Sequence, residues 1–415
     1  MHWLTQLFLL AVVGSVLMQW WLSIRQTRAV LAHREHVPAP FAERIGADDH
    51  RKAADYTMAR ERVGRIDLVV DAAVLLALTL GGGIAVLDSA WQGTGMSQPW
   101  LGAAIVLTVF LAQSIIGLPL SIYQTFRIEA RFGFNRTTPT LYVVDLLKQL
   151  ALGLALGVPL LSAILYLMTR AGDLWWLYAW CVLTAFTVTL QWAYPAFIAP
   201  WFNKFTPLAD QALQARITAL LQRCGFKAQG VFVMDGSLRS SHGNAYFTGF
   251  GKTKRVVFFD TLVERLSAGE IEGVLAHELG HYRRHHVRSR LILSLAMSFV
   301  GLALLGLLST WPDFYQALGV RSPSAHAALL LFILALGPFT FWLTPLGAWW
   351  SRRHEFEADE FAAEHASSSE LATALTKLYR DNASTLTPDA LHSAFYDSHP
   401  PALVRIAHLQ TLSRA

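Results

Sequence analysis

His277-Glu278-Leu279-Gly280-His281 places two imidazoles and a carboxylate at the spacing a catalytic metal site needs. On a helix, residues at i and i+4 share a face, so His277 and His281 can converge on one zinc ion while Glu278 stands beside it. From there Glu278 can take a proton from water activated by the metal, the general-base role in metal-assisted peptide hydrolysis. Five residues can also match such a pattern by accident, so the flanking sequence matters. Ile271, Val274 and Leu275 form an apolar stripe that leads into His277 and places the motif inside a helix.

A catalytic zinc takes three protein ligands and keeps one position open for water. Glu355 is the third ligand we expect. Asp359, one helical turn further on, can accept a hydrogen bond from the outer nitrogen of a ligating imidazole. Arg352, Arg353, Glu355, Glu357, Asp359 and Glu360 would equally suit a solvated helix end, and spacing alone leaves both readings open. His285 and His286, just beyond the motif, read as the basic end of its helix at a membrane surface.

The elements that must position these residues are largely membrane helices. Apolar residues make up 53% of the chain and charged residues 15%, and mean hydropathy is +0.37. That is too apolar for an ordinary water-soluble enzyme of 415 residues. Segments long enough to span a bilayer run near Trp3 to Leu22, Ile66 to Leu87, Trp100 to Tyr123, Leu141 to Met168, Leu174 to Ile198, Leu291 to Leu308 and Ala325 to Trp349, about seven in all. No Lys or Arg precedes the first apolar run, whereas Arg25 and Arg28 follow it, the reverse of a secretory signal. It therefore reads as a retained span with its N-terminus outside.

The region from Arg25 to Arg65, the loop with Arg127, Arg131 and Arg136, and the stretch before the sixth span are all basic. Asp88 to Gln98 has no Lys or Arg, and Pro312 to Ser324 has only Arg321. By the positive-inside rule the metal motif and the C-terminus face the cytoplasm, as an odd number of spans requires. The formal net charge of +5 follows from this topology and from anionic headgroups, so no nucleic-acid partner is expected. Cys181 lies in a span and Cys224 outside one, which argues against a disulfide or a cysteine ligand.

The expected organisation is a membrane region over 1–200 with five spans, a metalloprotease region over 201–290, two further spans over 291–349, and a C-terminal part over 350–415 that returns Glu355 to the site. Ala209 to Arg223 reads as an amphipathic helix, and the β-rich runs Gly230 to Met234 and Arg255 to Asp260 flank a polar, Gly-rich segment from Gly236 to Lys254. Gly243-Asn244-Ala245-Tyr246 is where an edge strand could pair with an extended substrate. An ordinary hairpin with turn residues is the alternative.

Further motifs run in order along the chain: Thr125-Phe126-Arg127-Ile128-Glu129 with Gly133-Phe134-Asn135, Asp145 and Lys148, Pro200 to Leu208, Ser241 to Phe247, the His277 motif, Ser351 to Asp359, and Asp397-Ser398-His399-Pro400-Pro401 with Arg405. With them the sequence resembles, over nearly its whole length, the CaaX prenyl protease 1 or Ste24 type of integral membrane zinc metalloprotease within the M48 peptidases. The resemblance implies a mainly α polytopic fold, about seven transmembrane helices enclosing a chamber, and a cytoplasmic α+β metalloprotease domain with a small β-sheet. It implies one Zn2+ per chain on His277, His281 and Glu355, with Glu278 as base. It also implies His399 and Arg405 lining the active site, and His242, Gly243, Asn244 and Ala245 along the substrate. A His donor near the zinc would stabilise the oxyanion of the tetrahedral intermediate. Without the resemblance, His399 would be an unremarkable His before a Pro pair.

Asp71, Gln113, Asp145, Lys148 and Gln191 lie inside apolar spans and are expected to face the chamber or each other, with Asp145 and Lys148 forming an i, i+3 ion pair. The implied reaction removes the last three residues of CaaX proteins whose Cys is prenylated. Frequent Ala, Leu, Trp and Arg with few Lys suggest a bacterial chain in the inner membrane, where a quality-control endopeptidase for unprenylated membrane proteins is the second reading. A seven-span transporter or channel with a structural zinc is the third, opposed by the base beside the site and by the fourth ligand that structural zinc sites use. The chain is expected to act as a monomer on peptide or protein substrates within a lipid bilayer.

Overall fold

A computed structural model gives the fold over residues 2–226, 230–248 and 255–413. Part of the Gly-rich segment expected between the β-rich runs, 249–254, lies outside the described residues. In hydrocarbon a backbone can satisfy its polar groups only internally, so the apolar runs become helices. The first region holds α1 (Trp3–Ala32), α2 (Ala47–Leu78), α3 (Gly83–Gln92), α4 (Trp100–Tyr123), α5 (Pro139–Arg170), α6 (Trp175–Ala193) and the short α7 (Ala199–Phe202). Among the described residues, 6 helical stretches of the chain are long and apolar enough to cross a membrane, or 7 if the pair α2 and α3, bent by 54°, is one span.

The expected second span, Ile66 to Leu87, is therefore broken in its middle. Thr79 turns its hydroxyl back to the Leu75 carbonyl at 2.7 Å, and Gly82 takes φ +77°, a left-handed conformation that suits glycine. Single π-helical stretches at Gln124–Glu129 and Tyr194–Ile198 lead out of α4 and α6.

After α7 come β1 (Phe205–Pro207), α8 (Gln211–Arg223), β2 (Val231–Met234), β3 (Ala245–Thr248), β4 (Arg255–Phe259), α9 (Asp260–Val263) and α10 (Ala268–Arg283). The four strands lie in the order β1-β2-β4-β3, with β2 parallel to β4 and the outer pairs antiparallel. The two β-rich runs are thus parallel neighbours and not the arms of one hairpin. β3 forms an edge. The spans resume with α11 (His286–Leu308), α12 (Pro312–Ala317) and α13 (Ala325–Thr340), and the chain ends in α14 (Thr344–His365), α15 (Ser368–Asp381), α16 (Ala390–Tyr396) and α17 (Ala402–Leu412).

The start of α10 is fixed by a reciprocal cap. Ser267 Oγ accepts from the Glu270 N–H at 3.2 Å, and Glu270 Oε2 accepts from the Ser267 N–H at 2.7 Å and from Lys377 Nζ at 2.7 Å. Ile271, Leu275 and Leu279 then bury one face of the helix in a core with Leu220, Phe258, Phe361 and Leu371. At Gly280 the backbone of α14 comes so near that a Cβ would meet Ala358 Cα at 3.0 Å. The bare residue in the motif lets α10 and α14 touch.

The expected ion pair of Asp145 with Lys148 does not form. Asp145 accepts two hydrogen bonds from Arg239, at 2.7 and 3.0 Å, and Arg239 also donates to Asn203 Oδ1 at 3.0 Å. Lys148 donates instead to the Trp201 carbonyl near the end of α7, at 2.8 Å. The guanidinium fork matches a carboxylate in a way a neighbouring ammonium cannot, and the lysine satisfies a carbonyl that the helix end leaves free. Both side chains tie α5 to the approach to the sheet. Asp145→Ala and Arg239→Ala are each expected to destabilise the detergent-solubilised protein by about 2 kcal/mol. The double variant should melt no lower than the worse single one, and additive losses in thermal denaturation would show that the two residues do not act as a pair.

Candidate active site

α10 and α14 bring three of the expected residues together. One ligand atom from each of His277, His281 and Glu355 falls within 4.8 Å of the others. His277 Nε2 lies 3.4 Å from Glu355 Oε2, His281 Nε2 lies 3.2 Å from Glu355 Oε1, and the two Nε2 atoms are 3.2 Å apart. Glu355 and Asp359 are 2% and 0% exposed, so a solvated helix end does not describe this stretch. Glu355 Oε2 is buried without a hydrogen-bond donor. A sealed carboxylate oxygen in that state suits a cation, and two imidazoles with one carboxylate are a donor set that fits a catalytic zinc.

A second layer holds the first. His277 Nδ1 meets Asp359 Oδ1 at 2.8 Å, which orients the ring with Nε2 inward. Arg405 donates to both oxygens of Asp359, at 2.9 and 2.8 Å, and places Nη1 3.3 Å from Glu355 Oε2. Arg405, expected to line the active site, is 4% exposed and its fork is engaged by Asp359, a geometry suited to positioning the residues around it. Burial and Arg405 both oppose a proton on His277, yet its contacts with Asp359 and Glu355 outweigh them and lift its pKa to about 9. A metal at Nε2 would take the place of that proton. Burial pushes the Glu278 carboxyl above its ordinary range, against the pull of His277 and His281.

His281 has an outer partner that the sequence reading missed. Its Nδ1 lies 2.9 Å from His286 Nδ1, and His286 Nε2 lies 3.0 Å from Glu357 Oε2. Were His281 Nε2 to hold a metal, Nδ1–H would donate to His286, whose Nε2–H would donate in turn to the carboxylate. The His286 ring stacks on His354 with centroids 3.9 Å apart. His286 is thus buried under the site and is not the basic end of the motif's helix at a membrane surface. The cause is His285 at φ +60°, which breaks the helix between α10 and α11 and swings the next side chain back under the site.

His399 arrives on the turn before α17, its Nε2 3.6 Å from Glu355 Oε2 and its side chain 64% exposed. Arg352 holds that turn by donating to the carbonyls of Ser393 at 3.1 Å and Asp397 at 2.8 Å. On the other side, Ser240 pairs with Asn135, the Arg136 N–H donates to the Arg239 carbonyl at 3.0 Å, and the His242 ring packs on Phe134 at 4.5 Å. The loop after α4 therefore clamps the lead-in to β3. The Gly243 N–H is engaged by Asn382 Oδ1 at 3.3 Å and the His242 carbonyl by Thr261 at 2.9 Å. Asn244 accepts from the Phe259 N–H at 3.0 Å, so by the alternation of an antiparallel ladder Ala245 and Phe247 turn their backbone groups away from β4, the Ala245 N–H donating there to Asn244 Oδ1 at 2.8 Å.

A polytopic helical protein with a His2Glu cluster, an adjacent carboxylate and a free edge strand is an integral membrane metallopeptidase in form. Residues 26–204 match the family described as CAAX prenyl protease N-terminal, five membrane helices, and residues 207–413 match peptidase family M48. The chain is 32% identical over 401 residues to a CAAX prenyl protease 1 homolog of Oryza sativa, covering 94% of this chain and 93% of that one. It is 30% identical to the Homo sapiens homolog, with 97% and 96% covered. The crystal structure of S. mikatae Ste24p superposes with a TM-score of 0.90 at 28% identity, covering 98% of this chain and 99% of the other. This chain belongs to the Ste24-type CAAX prenyl protease family of M48 peptidases, and it is a multi-pass membrane metalloendopeptidase. The transporter reading ends there.

Asp359→Asn and His286→Phe should each weaken metal affinity by roughly 10- to 100-fold, since each removes the partner that fixes a ligating ring. Chelator competition on purified protein measures this. Wild-type affinity in both variants would remove the outer layer from the metal site.

Proposed function

We propose that His277, His281 and Glu355 hold one zinc ion per chain and that the enzyme removes the C-terminal tripeptide from prenylated CaaX proteins. The convergence of the three side chains, with Glu278 alongside and the edge of β3 nearby, carries the chemical part of this reading. Likeness to curated CAAX prenyl protease 1 homologs over nearly the full chain supports the substrate.

Zinc bound there would supply a Lewis acid for the scissile carbonyl. Ala245 and Phe247 would pair with an extended substrate backbone and hold the scissile bond over the cluster. Glu278 takes a proton from the attacking water as the C–O bond forms, then passes it to the leaving amine as the C–N bond breaks. A base with a raised pKa suits both halves of that exchange. His399 donates to the carbonyl oxygen as it gains charge. Asp359 and Arg405 act through others, holding His277 and Glu355 in place. Basic loops at the metalloprotease end support a cytoplasmic orientation for it, and composition favours a bacterial inner membrane.

Purified protein is expected to cleave a farnesylated CaaX peptide and to stop when a chelator removes the metal. Glu278→Gln should keep one zinc per chain by metal analysis while turnover falls by about 10²- to 10⁴-fold, and full activity in that variant would reject the assigned base. His399→Ala should lower kcat by about 10²- to 10³-fold with little change in KM. Retained zinc with no cleavage of prenylated peptide would instead favour unprenylated membrane proteins as substrates.

A further inference from the structure

A cavity of about 890 Å³ lies between α2 and the turns that follow α4, apart from the metal site. Val63, Ile66 and Leu120 give it apolar walls, and Arg62, Arg127 and Arg131 also line it. Arg62 precedes the apolar part of α2, which leaves toward the bilayer, and Arg127 and Arg131 follow the apolar part of α4, which returns from it. The charges thus sit where hydrocarbon gives way to headgroups. All three arginines are exposed, and no carboxylate pairs with Arg62 or Arg127 among the described residues. Arg131 lies over the Phe132 ring at 5.4 Å, and the carboxylate that feels its charge, Asp55, is already held by Arg34. Ile66 and Tyr123, 50% and 51% exposed, leave the cavity open at its side.

We propose that this cavity binds an anionic glycerophospholipid, with the phosphate among Arg62, Arg127 and Arg131 and the upper part of an acyl chain along Val63, Ile66 and Leu120. Unpaired positive charge selects a phosphate that brings no ammonium of its own, and basic pockets between spans are known lodgings for such headgroups. The apolar walls require a tail that free phosphate lacks. Ile128 and Phe132 of the same lining pack with Tyr56 and Phe134, and the Phe134 ring supports His242. A seated lipid would therefore brace the clamp on the substrate strand.

The test titrates delipidated, metal-loaded full-length protein in neutral detergent with phosphatidylglycerol, phosphatidylcholine or inorganic phosphate, read by thermal shift and native mass spectrometry. Phosphatidylglycerol should bind saturably and raise the melting midpoint, phosphatidylcholine should bind at least tenfold more weakly, and inorganic phosphate should give no shift. Changing all three arginines to Gln should weaken phosphatidylglycerol on the order of 100-fold with metal content retained, while changing them to Lys should keep most of the binding. Ile66→Trp, which fills the apolar part and leaves the charges, should also weaken it and guards against misfolding of the triple variant. Equal binding of the two lipids, a shift with phosphate alone, or unchanged lipid binding in the Gln and Trp variants would overturn the proposal. So would a saturable site taken by a farnesylated peptide and not by lipid.

Discussion

The structure turns on a carboxylate kept out of water. Glu355 Oε2 has no hydrogen-bond donor and lies near Arg405 and His277, while Oε1 faces His281. Burying such a charge is costly unless other charges answer it. A bound dication with Arg405 would balance the carboxylates of Glu355, Asp359 and Glu278 if both imidazoles are neutral. Asp359 and Glu355 draw positive charge to the same place, since against burial they raise the His277 pKa. The cluster is thus tuned to a cation, and metal binding and the stability of this core are one problem.

Meeting that constraint requires two helices far apart in the chain to touch at one place. The cap at Ser267 and Glu270 fixes where α10 begins, hence which face carries His277 and His281. Gly280 supplies the close crossing with α14, and the crossing puts Glu355 opposite both rings. The partners beyond come from the same two helices and the ends that follow them: Asp359 and Glu357 from α14, His286 from the start of α11, Arg405 from α17. A ligand set on rigid helices, each ring fixed through its outer nitrogen, keeps its geometry when a substrate exchanges.

What the sequence made legible was local. The i, i+4 pair, the stripe through Ile271, Val274 and Leu275, and the apolar spans are periodic signals, and they mark α10 and most of the membrane helices. Long-range partners are not periodic. Asp145 has Lys148 one turn away, yet its carboxylate goes to Arg239, 94 residues distant, because a local rule cannot see a better donor brought in by the fold. The break between α2 and α3 falls at Gly81-Gly82-Gly83, a breaker signal that a count of apolar length passes over. The burial of His286 depends on a left-handed His285, which leaves no such mark. β1, three residues long, is too short for alternation to register. Glu355 and His399 became legible as site residues chiefly through the family's motifs, since a single Glu or His in a charged or Pro-rich stretch carries little pattern of its own.

The membrane helices are part of the site as well as its anchor. α14 continues from α13 through one short turn, so Glu355 stands on the extension of a span, and α11 leaves α10 directly at His286. The substrate strand is held from the other side by the loop after α4 and by Asp145 of α5 through Arg239. A rigid shift of the spans relative to one another would therefore change the spacing between β3 and the metal cluster, the two halves a peptide must bridge. Reaction geometry in such a protein is set at the membrane surface, where packing of apolar helices and pairing of charges meet, and the bilayer that shapes those helices is a component of the active site.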